Sequence, residues 1–280
     1  MENATITRNM LKLPAIDMFY YDTKSEGPVI ICLHGRWGRA QTWYDFIKRY
    51  GARYRVIAPD QRGHGLSGKP VSKYTGEEMA GDIIDLMDAL NIPSAIVAGH
   101  SMGGRVAGYF AALHPERIRA VAILDKSANG PEKPCALPPD QLPAIDPYTN
   151  DWPMPFLSLI EAEEFLKKAE DSDLSVRYFM NSLTETAEGY KMMFSPQAMA
   201  ANVAYDESWF HLLPRIACPV LLVRTGSHAA VPDDDFTKMQ SLIKDCIARE
   251  VSHPDHNVMH GNKEEFYRYF DEFLKKKVGV

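Results

Sequence analysis

Residues 95–104 read AIVAGHSMGG: an apolar, β-branched run, then G-x-S-x-G, then small residues able to open a helix. A serine at that spacing sits on a sharp strand-to-helix turn that lifts its hydroxyl above a sheet, with Gly99 and Gly103 allowing close packing around it. The helix N-terminus behind Ser101 presents free backbone N–H groups and a partial positive charge, which suits an oxyanion developing on a carbonyl under attack. The chemistry implied is acyl transfer. A serine hydroxyl is a weak nucleophile at neutral pH unless a histidine takes its proton, and a third group must fix that ring's tautomer and stabilise the imidazolium. Near the C-terminus, His253, His256 and His260 are the candidate bases.

The elements that would position these groups follow from the hydrophobic pattern. Residues 29–33, 54–58, 95–98, 120–124 and 220–223 are short apolar runs bounded by Gly, Pro or Asp, as expected of strands buried on both faces of a parallel sheet. Helical patterns lie between them at 40–49, 76–90 and 101–113. The second opens on a capping box, Thr75 with Glu78, and carries Met79, Ile83, Leu86, Met87 and Leu90 at helical spacing. The alternation predicts a doubly wound α/β sheet. It breaks after Asp125, where prolines at 131, 134, 138, 139, 143, 147, 153 and 155 exclude a helix or central strand. Helical segments are expected at about 157–169, 174–187 and 196–204, and the strand pattern resumes at Cys218. The reading is a core of residues 1–126 and 206–280 with a helical cap, 127–205, inserted over the carboxyl edge of the sheet.

Composition narrows the function classes. The 280 residues are 45% hydrophobic and 24% charged, ordinary for a packed fold, and length alone does not choose between one core and a core with an insertion. A net charge of -6, with no basic block beyond Lys275 to Lys277, leaves no electrostatic footprint for nucleic acid. Cys32, Cys135, Cys218 and Cys246 show neither CxxC pairing nor metal-ligand spacing, so free thiols are expected rather than disulfides or zinc. The N-terminal MENATITRNMLKLPAIDMFYYD has no basic segment followed by an apolar stretch of secretory length, and other apolar runs are strand-sized. A cytoplasmic, soluble protein is expected, a monomer or homodimer without membrane contact.

Four motifs carry a resemblance: LHGRWG at 33–38, APDQRGHGLS at 58–67, GHSMGG at 99–104 and DHNVMHGNKEEF at 255–266. In this order the chain resembles the α/β hydrolase family, in its capped, esterase-like branch. The resemblance implies an eight-stranded, mostly parallel sheet in the order 1-2-4-3-5-6-7-8, the cap following strand six, and Ser101 following the fifth strand. His256, between the last strand and the final helix, falls on the family's catalytic base, and His260 on a frequent packing histidine. The backbone N–H groups of Met102 and Arg36 fall on the two oxyanion donors. The Arg36 side chain is expected to pair with a surface acid rather than with a substrate carboxylate. His34, His64 and His100 fall on loop-packing places.

The acid of this family usually closes the seventh strand in a pattern such as G-x-x-D-x-x-x-P. Counting back from Pro232, that place holds His228, which cannot supply the negative charge an imidazolium needs. Asp233 to Asp235 follow, but they precede a helical pattern and are explained by its capping and dipole. Asp125, at the end of strand six, is the preferred acid. Neighbouring strands lie about 4.8 Å apart, so the acid's origin moves by about one spacing, and the order Ser101, Asp125, His256 is kept.

The expected reaction is hydrolysis of a carboxylic ester or lactone through an acyl-enzyme, needing no metal or organic cofactor. The aromatic and Met-rich cap suggests a mid-sized apolar or aromatic small molecule rather than a highly charged one. Trp152, Phe156, Phe179, Tyr190 and Met193 of the cap, with Trp37 and His228, are the candidate substrate contacts. Carbon–carbon bond hydrolysis, perhydrolysis, cofactor-free dioxygenation and a ligand receptor with a retained triad remain alternatives on this fold.

Overall fold

In the computed structural model, which describes residues 5–279, apolar runs become strands where both their faces are covered. The strands of the main sheet are β1 (Thr7–Lys12), β2 (Asp17–Asp22), β3 (Val29–Leu33), β4 (Arg55–Pro59), β5 (Ala95–His100) and β6 (Ile118–Leu124). After a hairpin outside this sheet, β7 (Leu183–Thr186) and β8 (Gly189–Met192), it is completed by β9 (Val220–Thr225) and β10 (Cys246–Val251). The order is β1-β2-β4-β3-β5-β6-β9-β10, the expected topology once the separate hairpin is set aside. β1 and β2 are antiparallel, as are β2 and β4; the pairs from β4 through β10 are parallel.

Helices cover both faces. On one side, α2 (Gly76–Ala89) and α3 (Met102–Leu113) pack on Leu33, Val97, Val121 and Leu222. On the other, α1 (Tyr44–Tyr50) and the late α9 (Lys263–Phe273) place Phe46, Tyr50, Phe266, Phe270 and Phe273 against Ile30, Ala98 and Val223. Each large side chain so buried contributes about 1.5–3 kcal/mol before entropy is counted. The Thr75 hydroxyl accepts from the Glu78 amide at 3.2 Å, as the capping box predicts, while the Glu78 carboxylate reaches the Tyr74 amide at 2.7 Å, one residue short of the usual partner.

Between β6 and β9 the chain leaves the sheet. Its proline-rich part is turns and irregular backbone, followed by α4 (Leu159–Ala169), α5 (Asp173–Met180), the β7–β8 hairpin and α6 (Pro196–Ala204). The expected helix over 174–187 stops at Met180. Gly189, at φ +132°, turns the chain into the hairpin, and Tyr190 exchanges backbone hydrogen bonds with Phe156 at 2.7 and 2.8 Å. The core resumes with α7 (Asp233–Leu242), the short α8 (Val258–Gly261) and α9. The four cysteines are free. Among the described residues, no helix is long and apolar enough to cross a membrane.

Candidate active site

Ser101 stands where β5 becomes α3, with φ 53° and ψ -118°, outside the regions open to most L-residues. Such a conformation costs on the order of 1–3 kcal/mol and persists only where the surroundings dictate it. They do so here. The Ser101 amide donates to Leu124 O at 2.9 Å, and the Gly104 amide to Ser101 O at 2.8 Å. A side chain at Gly99 would meet Gly103 O at 2.0 Å, and one at Gly103 would meet Leu33 O at 2.3 Å, so the turn closes only with glycine at both places.

His256 lies in the loop between β10 and α8, and its Nδ1 is 2.7 Å from Asp125 Oδ2. Asp125 is 1% exposed, so its carboxyl oxygens depend on protein hydrogen-bond partners. Its Oδ1 accepts from the Thr225 amide at 2.9 Å and its Oδ2 from the Thr225 hydroxyl at 3.2 Å. The Asp125 amide itself donates to Val223 O at 2.7 Å. Residue 125, at φ 50°, turns over the end of β9 and seats its carboxylate on that strand's last residue. An acceptor at Nδ1 holds the proton there and leaves Nε2 as the basic nitrogen. No hydrogen bond joins Ser101 to His256, a contact that often tightens only with substrate.

The loop carrying His256 is braced from three sides. Asp255 accepts from the Asn257 amide and side chain at 2.7 and 2.9 Å and from Ser172, the N-cap of α5. His100 donates from Nε2 to His256 O at 2.8 Å. Burial holds His100 far down, to about 3, so this ring stays neutral. His34 and His64, also buried and held below the usual histidine range by desolvation, bond to Gly35 O and Arg62 O, each at 2.8 Å. His260 bonds to Thr42 O at 3.0 Å.

Ser101, His256, Arg36 and Met102 line one cavity of about 500 Å³. The backbone amides of Arg36 and Met102 have no partner among the described residues, so both are free to receive an oxyanion. Tyr178, whose hydroxyl donates to Arg36 O at 3.0 Å, fixes the loop from above. Trp37 and Phe179 form an apolar wall with Tyr148, at ring separations of 4.8 Å for Trp37–Tyr148 and 5.7 Å for Trp37–Phe179. Met102, Pro131 and Val203 add further apolar lining, and the charged residues of the cavity include Arg36, Arg105, Lys126 and Asp206.

Several expected contacts lie elsewhere. Trp152 is behind the wall, edge-on to Phe179 at 4.8 Å, and Phe156 is fully buried against Phe165. Tyr190 is engaged in the hairpin's pairing with Phe156. Met193 accepts a contact from Arg39 and lines a separate, larger space of about 800 Å³ beneath the hairpin that contains no part of Ser101 or His256. His228 is at the surface, between Glu250 at 2.9 Å and Asp233 at 3.2 Å, in a cluster around Arg224. Asp233 is 71% exposed within that cluster, and Asp235 accepts from Ser127 at 2.7 Å; neither bonds to a histidine of the cavity. The Arg36 side chain makes no ion pair with a surface acid, and its guanidinium lies 4.1 Å over the Trp37 ring. Tyr148, Tyr178, Asn202, Arg105, Lys126 and Asp206 were not foreseen from the sequence. A basic residue one turn into α3 and another directly after Asp125 were the available signals.

This fold and site geometry place the chain in the α/β hydrolase family, whose profile, described as the alpha/beta hydrolase fold, matches residues 28–162. Membership is shown by a 2-(acetamidomethylene)succinate hydrolase of Mesorhizobium japonicum, 37% identical over 257 residues that cover 90% of this chain and 89% of the relative. An epoxide hydrolase 1 of Caenorhabditis elegans is 25% identical over 289 residues, covering 95% of this chain and 70% of that protein. Among solved structures, E-2-(acetamidomethylene)succinate hydrolase shares the fold with a TM-score of 0.80 at 24% identity, covering 97% of this chain and all of that one, 100%.

Proposed function

We propose that the protein is a serine hydrolase that cleaves a small-molecule carboxylic ester or lactone through an acyl-enzyme formed on Ser101. The observation that carries this reading is the 2.7 Å hydrogen bond between His256 Nδ1 and buried Asp125 beneath the cavity that Ser101 lines. Nε2 of His256 takes the Ser101 proton as Oγ attacks the carbonyl carbon. The free amides of Arg36 and Met102 hold the resulting oxyanion, and Asp125 stabilises the imidazolium. The imidazolium then protonates the leaving alcohol; a water, deprotonated by the same nitrogen, releases the acid and restores Ser101. A serine at 101 argues against epoxide opening, which on this fold uses an aspartate nucleophile.

A second reading is favoured by the 37% identical relative, whose name gives it an acetamido substrate. The same apparatus then cleaves an amide, with His256 protonating a departing nitrogen. Burst kinetics on a panel of p-nitrophenyl esters, lactones and acetamido compounds, wild type against Ser101→Ala, separates these. The ester reading expects a stoichiometric burst of nitrophenol followed by turnover, both absent in Ser101→Ala. Turnover confined to the acetamido compounds supports the second reading, and no Ser101-dependent turnover on any compound refutes both.

A further inference from the structure

Three cations meet at the serine end of the cavity. Arg36 follows the Gly35 turn, Arg105 lies on α3 one turn beyond Ser101, and Lys126 directly follows Asp125. One carboxylate, Asp206, serves two of them: Arg105 Nη1 pairs with its Oδ1, and Lys126 Nζ is 3.4 Å from its Oδ2. Burial pushes Asp206 up, but Arg105 and Lys126 outweigh this and leave its carboxyl below the usual value. Among the described residues, Arg36 forms no ion pair, whereas Arg105 and Lys126 do. Asp146, the other acid in the neighbourhood of Arg36, has Oδ2 occupied by Trp37 Nε1 at 2.8 Å and by Thr149, while its buried Oδ1 has no hydrogen-bond partner among the described residues and makes no ion pair with Arg36. Glu170 also lines the cavity, but it accepts from Tyr148 at 2.8 Å and its acidic neighbours are Asp171 and Asp255, away from the three cations.

Three cations therefore meet one carboxylate at Asp206, with Asp146 a second acid acting on Arg36, and the group sits at the N-terminus of α3, where the helix dipole adds to the positive side. Burial depresses both Lys126 and Arg36 from their ordinary values, the mark of cations removed from water without full compensation. Arg105 Nε is buried with no partner. Folding gains nothing from an unpaired guanidinium in a cavity, whereas an arriving anion would recover the lost solvation. Arg36 has a planar fork suited to the two oxygens of a carboxylate, and its ring partner Trp37 leaves the fork's edge free.

We propose that the substrate carries a free carboxylate, a few bonds from the scissile carbonyl, held by the side chains of Arg36 and Lys126. Arg105, clamped by Asp206, supplies field rather than a contact. This deepens the hydrolase reading and rests on it, and it adds one anionic group to the expected apolar or aromatic substrate. The carboxylate fixes the acyl chain so that its carbonyl oxygen falls to the Arg36 and Met102 amides, making binding energy remote from the reaction useful at the carbonyl.

The test compares mono-p-nitrophenyl esters of succinate, glutarate and adipate with the same compounds methylated on the free carboxylate. The expected result is a kcat/KM ratio of acid to methyl ester of about tenfold or more at the best chain length. That ratio should fall below about threefold in Arg36→Met, partly recover in Arg36→Lys, and fall in Lys126→Met. A wild-type ratio of one or less across the series, or a ratio that survives both methionine variants, overturns the proposal. If no ester turns over, the ester reading fails separately. The anion site is then judged by calorimetry on Ser101→Ala with monomethyl glutarate against dimethyl glutarate. Selective binding of the former, weakened about tenfold by Arg36→Met, supports the site; equal or no binding overturns it. Displacement by inorganic phosphate at lower concentration than by monomethyl glutarate would reassign it to phosphate and overturn the carboxylate.

Discussion

Replacing Asp125 by Asn changes almost nothing in shape and should nearly abolish activity. Asp125 Oδ1 must still accept from the Thr225 amide, at 2.9 Å in the wild type, because Thr225 is fully buried and cannot turn that amide to water. The Asn oxygen is thereby committed to Thr225, and its NH₂ is turned toward His256 Nδ1, where a carboxylate oxygen stood at 2.7 Å. A donor there selects the tautomer with the proton on Nε2, which cannot take the Ser101 proton. The substitution also removes a charge beside the imidazolium. At an effective dielectric of about 20, unit charges roughly 3 Å apart interact by about 5.5 kcal/mol. The His256 side chain is 46% exposed, so solvent screening takes a share of this, and the tautomer penalty is added to what remains. Together they predict a loss of about 10³- to 10⁴-fold in kcat, roughly 4–5.5 kcal/mol of barrier. The assay is steady-state and stopped-flow release of p-nitrophenol, with circular dichroism and thermal melting to show the variant is folded. A folded Asp125→Asn that keeps more than about a tenth of wild-type kcat would refute the assignment of the acid.

Three further outcomes are expected. His228→Ala and Asp233→Asn, which alter only the surface cluster around Arg224, should leave kcat/KM within about threefold, and a loss beyond about a hundredfold in Asp233→Asn would return the acid to α7. Ser101→Gly should abolish turnover yet melt above Ser101→Ala by about 2–6 °C, because glycine adopts φ 53° without strain; equal melting would show that the turn stores no energy. His34, His64 and His100 are buried neutral with folded pKa values lowered by desolvation, to about 4 and 3 for the last two. Below the unfolded value the unfolded chain binds more protons, so their contribution is fully present above about pH 6.5 and lost as pH falls toward their folded values, by about 1.4 kcal/mol per pH unit for each ring. Urea unfolding at pH 7, 6 and 5 checks the sign, and stability unchanged over that range would contradict it.

How far the sequence could be read depended on whether a residue's role lies along the chain or between distant parts of it. β3, β5, β6 and β9 were legible because burial on both faces writes a continuous apolar run, and Gly99, Ser101 and Gly103 because the elbow is local. The hairpin Leu183–Met192 was not, since the apolar spacing of α5 runs on into it and Gly189 reads as an ordinary breaker. Asp125 could be singled out only because His228 fills the usual place; its seat on Thr225 spans one hundred residues of chain. The charge of the cavity was hidden for the same reason. Arg105 reads as a helix residue, Lys126 as a loop residue and Asp206 as part of a connection, and only folding sets them around one space with Arg36. The aromatic cap residues misled because helical spacing reports burial, not which buried face meets the cavity, so Phe179 lines it while Phe156 and Trp152 support it from behind.

In the proposed reaction a covalent acyl group passes through Ser101. Rapid acid quench of the wild-type protein during turnover of a p-nitrophenyl ester, followed by proteolysis and mass spectrometry, tests it most directly. One acyl group per chain is expected, on the peptide containing Ser101, formed within the burst and absent from Ser101→Ala. Turnover at an undiminished rate with no acylated Ser101 peptide, or with the acyl group on another residue, would contradict it.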